Sequence, residues 1–373
     1  MNQEEFKYYL ALHFTSGIGS RRLTTLVQYF GSAERAFTAS AGEVMNVPGF
    51  GKGTTESMVM DREEALERSK AQLKKLEDDT TVVTFFDDGY PEQLRSTYSP
   101  PALLFVKGNA GLLMEERMVA IVGSRKTSDY GRRAAKEFAE AMVAERVTIV
   151  SGFAKGIDTA AHEAAFESGG KTIAVLGSGV DVIYPYTNKG LSEELVKSGR
   201  GAIVSELPLG TKPDAKNFPW RNRIVSGLSK ATLIVESEVQ GGSMITASLA
   251  LDENRDVFAI PGDIYRPSSS GPNFLIRESR AKLATSADQI LSELGWIDRP
   301  GVTKRAKEVD RTGLSLFETK VVDVLEAAGG PLQVDAIAER AGLEVQDLLV
   351  QLLGLEFKSV VRQMAGKQFM LIG

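Results

Sequence analysis

The chain has 373 residues, enough for two or three domains, with 25% charged and 43% hydrophobic residues. It holds no cysteine and only two histidines, His13 and His162. That excludes a disulfide framework and a thiolate nucleophile, and argues against a zinc site or a histidine-based triad. The formal net charge is −5, so a polyanionic partner would have to meet a local basic groove rather than a field over the whole surface.

Residues 1–78 read as helical. Within them Ser16-Gly17-Ile18-Gly19 recurs as Pro48-Gly49-Phe50-Gly51, each followed by a helical pattern. The doubling resembles a pair of helix-hairpin-helix turns, whose glycines expose backbone N–H groups at a helix N-terminus. A tight turn between packed helices is the alternative. No apolar run in the chain reaches the roughly 18 residues of a membrane helix, and the N-terminus has no signal-peptide core. A cytoplasmic protein with no membrane partner is expected.

Residues 79–296 alternate strand-like and helix-like segments. Strands are predicted at 82–86, 103–106, 119–122, 148–150, 173–176, 202–205, 233–235 and 257–260, with helices such as 131–144, 157–168 and 243–254 between them. Several strands are short unbroken apolar runs, as in strands covered on both faces. The alternation predicts an α/β fold with a parallel, doubly wound sheet. Residues 297–313 are polar and charged and read as a linker. Residues 314–373 carry helical patterns at 316–327, 334–341 and 345–357, then extended pieces at 360–363 and 368–371 joined by Ala365-Gly366-Lys367. That is the pattern of a winged helix.

In an open α/β sheet, ligands gather outside the carboxyl ends of the strands. The predicted strand ends here are followed by Gly123-Ser124-Arg125, by Gly152 through Lys155-Gly156, by Gly177-Ser178-Gly179, and by Gly241-Gly242-Ser243 opening a helix. Glycine lets the backbone approach an anion, free N–H groups at a helix start point at it, and arginine adds a planar fork for phosphate oxygens. Several such loops on one sheet edge predict an anionic ligand. No G-x-x-x-x-G-K-[ST] and no G-x-G-x-x-G after a strand is present, so ATPase and NAD readings are poor. Arg125, Lys155, Arg221 and Arg223 come from separate segments, which suits a chain of phosphates better than one nucleotide. Phe218 and Trp220, interleaved with the arginines, would offer faces for unpaired bases. Asp158 and His162, at i and i+4, could form an acid–base pair, but an aspartate at a helix start with a structural histidine neighbour is the simpler reading.

The ordered motifs resemble the DNA processing protein A family (DprA, also called Smf). They are Ile121-Val-Gly-Ser-Arg125, Ser151-Gly-Phe-Ala-Lys-Gly-Ile-Asp158 through Ala161-His162, Thr172 to Gly179 with Tyr184-Pro185 and Asn188, Ser205-Glu206, Phe218-Pro-Trp-Arg-Asn-Arg223, Gly242-Ser243 with Ile245-Thr246-Ala247, and Val257 to Gly262. The resemblance implies an extended Rossmann domain that binds single-stranded DNA, acts as a homodimer and loads the recombinase RecA in natural transformation. It adds a sterile-alpha-motif-like helical domain before and a winged helix after. No cofactor, metal or catalytic residue is implied. By the motif match, Arg125 would grip a phosphate, with Gly123 and Ser124 in its loop, and Lys216 and Phe218 would line the same groove. Gly152, Lys155, Gly156, Arg221, Asn222, Arg223, Gly242 and Ser243 fall in family motifs as contacts or braces. Lys189 is a further candidate.

The rival reading is an enzyme, a nucleotide phosphoribohydrolase of the lysine-decarboxylase-like type. That family places a glutamate soon after its Gly-Gly loop, whereas Ser243 here is followed by no carboxylate until Asp252. A transcription regulator acting through the winged helix is disfavoured too. Its second helix, 344–357, carries Glu344, Asp347 and Glu356; the amides Gln346 and Gln351 remain, but there is no cation before Lys358 to neutralise phosphates as a duplex reader does. The module is expected to meet protein or to regulate.

Overall fold

Short apolar runs flanked by glycine and charge become the strands of one sheet: β1 (Thr80–Thr84), β2 (Leu103–Gly108), β3 (Met118–Val122), β4 (Thr148–Ser151), β5 (Thr172–Val175), β6 (Gly201–Ser205), β7 (Ala231–Ile234), β8 (Asp256–Ala259) and β9 (Lys282–Leu283). The structure, a computed structural model, describes residues 3–297, 311, 313–328, 330–358, 360–364 and 368–371. The sheet order is β1-β2-β6-β5-β4-β3-β7-β8-β9. From β6 to β9 all neighbours are parallel, whereas β2 lies antiparallel to both β1 and β6. The expected parallel sheet is thus extended at one edge by an antiparallel pair. Strand β9 was not predicted, because two exposed residues carry no periodicity.

Helices cover both faces. Val119 and Ile121 of β3 pack with the helices Asp129–Ala144 and Ile157–Glu167, while Ala120 and Val122 pack with Asn217–Leu228 and Gly242–Asp252. Burial on both sides is why these strands read as continuous apolar runs. Six helices between Gln3 and Leu73 precede the sheet and share a core with it through Tyr9, Leu103, Phe105 and Leu209. The Tyr9 hydroxyl donates to the Ala102 carbonyl at 2.7 Å, and Gln72 exchanges two hydrogen bonds of 3.0 Å with the Leu209 backbone. The doubled glycine turns are alike: Gly17 and Gly49 both have positive φ, and Gly19 and Gly51 both start helices. Among the described residues no helix is long and apolar enough to cross a membrane.

The chain divides into two compact units, Met1–Ile297 and Asp298–Gly373. The linker expected at 297–313 lies outside the described residues except at Ile297, Arg311 and Gly313, as does the wing turn 365–367. The second unit has helices Leu316–Ala328, Val334–Ala341 and Val345–Phe357 around one apolar core. Gly342 ends the middle helix in the left-handed region, at φ 65°. Its sheet adds a strand the sequence did not suggest: β10 (Leu332–Gln333) pairs with β12 (Gln368–Leu371), which pairs with β11 (Val361–Met364). This is a winged helix.

Candidate nucleic-acid interface

The direction of winding reverses at β3. Strands β4 to β6 lie on one side and β7 to β9 on the other. A cavity of about 890 Å³ opens outside the strand ends there, lined by residues after β3 (Gly123, Ser124, Arg125), β4 (Gly152, Ala154) and β7 (Ser237, Glu238), and by Phe218, Arg221, Asn222, Gly242 and Ser243. This is the crevice in which open α/β sheets bind ligands. A smaller cavity of about 140 Å³ shares Arg125, Tyr184, Phe218 and Arg221 with it and adds Lys155 and Gly177.

The first loop presents Arg125. Its guanidinium is exposed, sits 4.9 Å from the centroid of the Phe218 ring, and pairs with no carboxylate among the described residues. The loop itself is held firmly. The Ser124 N–H donates to the Glu236 carbonyl at 2.7 Å, and the Ile157 N–H donates to the Ser124 carbonyl at 3.2 Å. Beyond Arg125, the buried Glu236 carboxylate accepts from the Ser128 N–H (2.9 Å), the Ser128 hydroxyl (2.5 Å), the Thr127 hydroxyl (3.1 Å) and the Ser268 hydroxyl (3.3 Å). Ser128 in turn caps the helix Asp129–Ala144 by accepting from the Gly131 N–H.

The second loop must be glycine at two places. A Cβ at Gly152 would stand 1.9 Å from Nη1 of Arg221, and one at Gly156, whose φ is 87°, would stand 2.3 Å from the Ser124 carbonyl oxygen. Between them the fully buried Phe153 is held at φ 58°, a strained setting for a bulky residue. Asn188 helps to hold it, donating to the Phe153 carbonyl at 3.0 Å and to the Thr159 hydroxyl at 2.8 Å. Lys155 is exposed at the mouth of the smaller cavity.

Arg221 and Asp158 form the floor. Arg221 is 5% exposed, donates from Nη1 to the Val175 carbonyl at 2.7 Å, and leaves Nε without a partner among the described residues. Burial pushes its pKa down to about 10 against the pull of Asp158. Asp158 is buried, which raises its pKa; the neighbouring Arg221 and the Ala154 and Gly123 N–H groups oppose that rise. Asp158 therefore ties the first loop to the second. His162, on the same helix, faces the core instead, with Nδ1 2.6 Å from the Thr172 hydroxyl and its pKa lowered to about 3, chiefly by burial. The pair is structural. An unfolded histidine takes up its proton near pH 6.5 and this folded one near 3, so its contribution is complete above 6.5 and is lost as pH falls. His162→Gln is expected to shrink the stability difference between pH 7 and pH 5 by about 2 kcal/mol, as read from urea denaturation at the two pH values.

The helix Asn217–Leu228 carries the remaining candidates. Phe218 lines both cavities, and Trp220 is 54% exposed. Asn222 bridges to the next helix, donating to the Gly242 carbonyl at 3.2 Å. Ser243 is buried at that helix's first turn, with a hydroxyl that has no partner among the described residues. Three predicted cations do not line either cavity. Arg223 stacks 4.5 Å from Trp220, donates to the Ser99 carbonyl at 2.8 Å and is ion-paired with the buried Glu206. Lys216, at the helix start, is exposed and lies 3.6 Å from Asp214. Lys189 pairs with Glu193 at 3.8 Å. Sequence reasoning passed over Glu236 and Tyr184 as site residues. The signal for Glu236 was an acid directly after a predicted strand, which gains meaning only once β7 is known to neighbour β3.

Fold and site together define an extended Rossmann-like protein with a cation-lined crevice at the sheet's reversal point, followed by a winged helix. Comparison with known proteins makes that class specific. Residues 81–295 match the family described as DNA recombination-mediator protein A, and residues 308–367 match the DprA winged helix domain. The chain is 42% identical over 265 residues to Protein Smf of Escherichia coli, covering 69% of each chain. In structure it is similar to DNA processing protein A of Streptococcus pneumoniae, with a TM-score of 0.66 and 37% identity over 77% of this chain and 97% of that one. It is also similar to the DNA processing protein A of Helicobacter pylori whose structure concerns a single-stranded DNA binding mode, with a TM-score of 0.52 and 27% identity over 58% of this chain and 95% of that one. The chain belongs to the DNA recombination-mediator protein A family.

Proposed function

We propose that the crevice binds single-stranded DNA during natural transformation and that the bound strand is handed to RecA. The observation that carries this reading is the exposed Arg125 guanidinium lying on Phe218 beside Lys155. A cation free of carboxylates, next to an aromatic face, suits a phosphate followed by an unpaired base. The strand would run past Arg125 and Lys155, with Tyr184 and Trp220 as further stacking faces. Arg221 and Arg223 would act as braces, since their guanidinium groups face protein partners. Gly123, Ser124, Gly152, Gly156, Asn222, Gly242 and Ser243 would shape the trough and offer backbone N–H groups. Lys216 and Lys189 would meet the strand only where it leaves the crevice.

The work would need no chemical step. Asp158, the buried acid of the crevice, is engaged by backbone N–H groups and Arg221, an arrangement that favours a fixed brace over a proton carrier. This supports a binding protein over a phosphoribohydrolase. A cytoplasmic homodimer is the state in which we expect it to act. Fluorescence anisotropy with a labelled poly-dT oligonucleotide tests the reading. Affinity is expected to fall with salt by about 0.7 log unit per log unit for each phosphate neutralised. Absence of binding at low salt, or binding indifferent to salt, would overturn it. RecA filament growth on the bound strand tests the hand-off separately.

A further inference from the structure

Beside the crevice, exposed aromatic rings again meet cations. Trp220, two residues beyond Phe218 on the same helix, is 54% exposed and has the Arg223 guanidinium 4.5 Å from its ring centroid. Arg223 also donates from Nη1 to the Ser99 carbonyl at 2.8 Å. The residue before Ser99, Tyr98, is 78% exposed. Its ring lies 5.3 Å from the guanidinium of Arg21, in the first turn of the helix Ser20–Phe30. A continuous line of contacts thus runs from the edge of the crevice to the first of the two glycine turns. The segment that carries Tyr98 is anchored. The Tyr98 N–H donates to the Glu253 carboxylate at 2.8 Å, and the Pro101 carbonyl accepts from the Tyr90 hydroxyl at 2.7 Å.

We propose that a single strand leaving the crevice continues over Trp220 and Tyr98 to Arg21, so that the N-terminal helices form the second half of its track. This rests on the reading of the crevice as a single-strand site. Each ring has a guanidinium against one face and offers the other to a base. Exposed ring faces are of no use to a duplex, whose bases already stack on one another, so the occupant is an unpaired strand. Arg21 is exposed and pairs with no carboxylate among the described residues. The other cations that follow the glycine turns are engaged: Arg22 donates to the Gly17 carbonyl at 2.8 Å, and Lys52 lies 3.9 Å from Glu56. Gly19, the N-cap, supplies no side-chain acceptor, so the first backbone N–H groups of the helix stay open beside Arg21 for the same phosphate. The acids that touch this line are answered, Glu206 by Arg223 and Glu253 by the neighbouring Arg255, and do not repel a strand as free charges would.

Strand length separates the track from the crevice. Anisotropy of the full-length protein is measured with labelled oligo-dT of about 6 nucleotides, enough for the crevice, and of about 20, enough for both. Tyr98→Ala is expected to weaken binding of the longer strand by about 5- to 100-fold, the loss of one base stacked on a ring, and to leave the shorter one unchanged. Tyr98→Phe keeps the ring and should bind both as the wild type does. Arg21→Ala should weaken only the longer strand and lower its salt slope by about 0.7. Both side chains are exposed, so neither change threatens the fold. Wild-type affinity of both alanine variants for the longer strand would overturn the track and leave the crevice reading in place. Wild-type protein that binds neither length would overturn both. Equal losses at the two lengths would mean that the substitutions act on the crevice through Ser99 and Arg223, which also overturns the track. Loss of binding to a blunt duplex alone, or of RecA loading alone, would assign this surface to another partner and overturn it as well.

Discussion

Arg125→Ala is expected to weaken binding of poly-dT by about 10- to 100-fold, the loss that follows from removing a hydrogen-bonded contact to a charged group, about 1.5–3 kcal/mol. The side chain is exposed and has no carboxylate partner among the described residues, so its removal leaves no buried charge behind and should hardly move the melting temperature. Its loop is fixed by backbone hydrogen bonds at Ser124 and should keep its shape. The effect should be nearly the same for every base composition, because a phosphate contact carries no sequence information. The slope of log affinity against log salt should fall by about 0.7, one phosphate's worth of released counterions for a single strand. Phe218 loses a neighbour as well, since an exposed cation–π contact is worth about 0.5–1 kcal/mol. Anisotropy titrations at several salt concentrations measure both quantities together. Unchanged affinity would remove Arg125 from the interface, and lost affinity with an unchanged slope would mean that it acts by shaping the loop.

Much of the fold was legible because its signals are local. A strand buried on both faces is an unbroken apolar run wherever it lies, and all eight predicted strands, several of them such runs, formed within a few residues of their expected limits. The glycine loops were legible for the same reason, since a turn that must hold φ at 87°, as Gly156 does, has to be written in glycine. Pairing across the sheet was not legible. The antiparallel placement of β2 between β1 and β6, and the two-residue strands β9 and β10, depend on neighbours distant in sequence. The same limit divides the cations. Arg125, Arg221 and Arg223 all sit in motifs of the right composition. One faces solvent over an aromatic ring, one lies under the crevice against the Val175 carbonyl, and one is paired with Glu206. Which arginine is free depends on where the acids and carbonyls of other segments fall, and only the folded chain states that.

Glu236 shows the same dependence and carries the other large effect. Its carboxylate holds Thr127, Ser128 and Ser268 together through four hydrogen bonds, directly beyond the Arg125 loop. Alanine there would take this acceptor from the Ser128 N–H and from three hydroxyls and open a hole under Gly131, against which the Glu236 side chain packs. A cost of about 3 kcal/mol follows from losing hydrogen bonds to a buried carboxylate, or roughly 6–12 °C in melting temperature for a unit of this size. Glutamine is the informative companion. It keeps the volume and one acceptor oxygen, so it can still serve the Ser128 N–H and the Thr127 hydroxyl. Its NH2 group replaces an acceptor with a donor opposite the Ser128 and Ser268 hydroxyls, and a hydroxyl can rotate to accept. The Ser128 hydroxyl, which already accepts from Gly131, would then fill both lone pairs and lose the acceptor of its own proton, and about 1 kcal/mol should be lost. If Glu236 positions the Arg125 loop, poly-dT affinity should fall in the same order, alanine more than glutamine, at temperatures where both variants are fully folded. Binding at wild-type strength by a folded but less stable alanine variant would show that the carboxylate supports the sheet edge and leaves the Arg125 loop to hold itself.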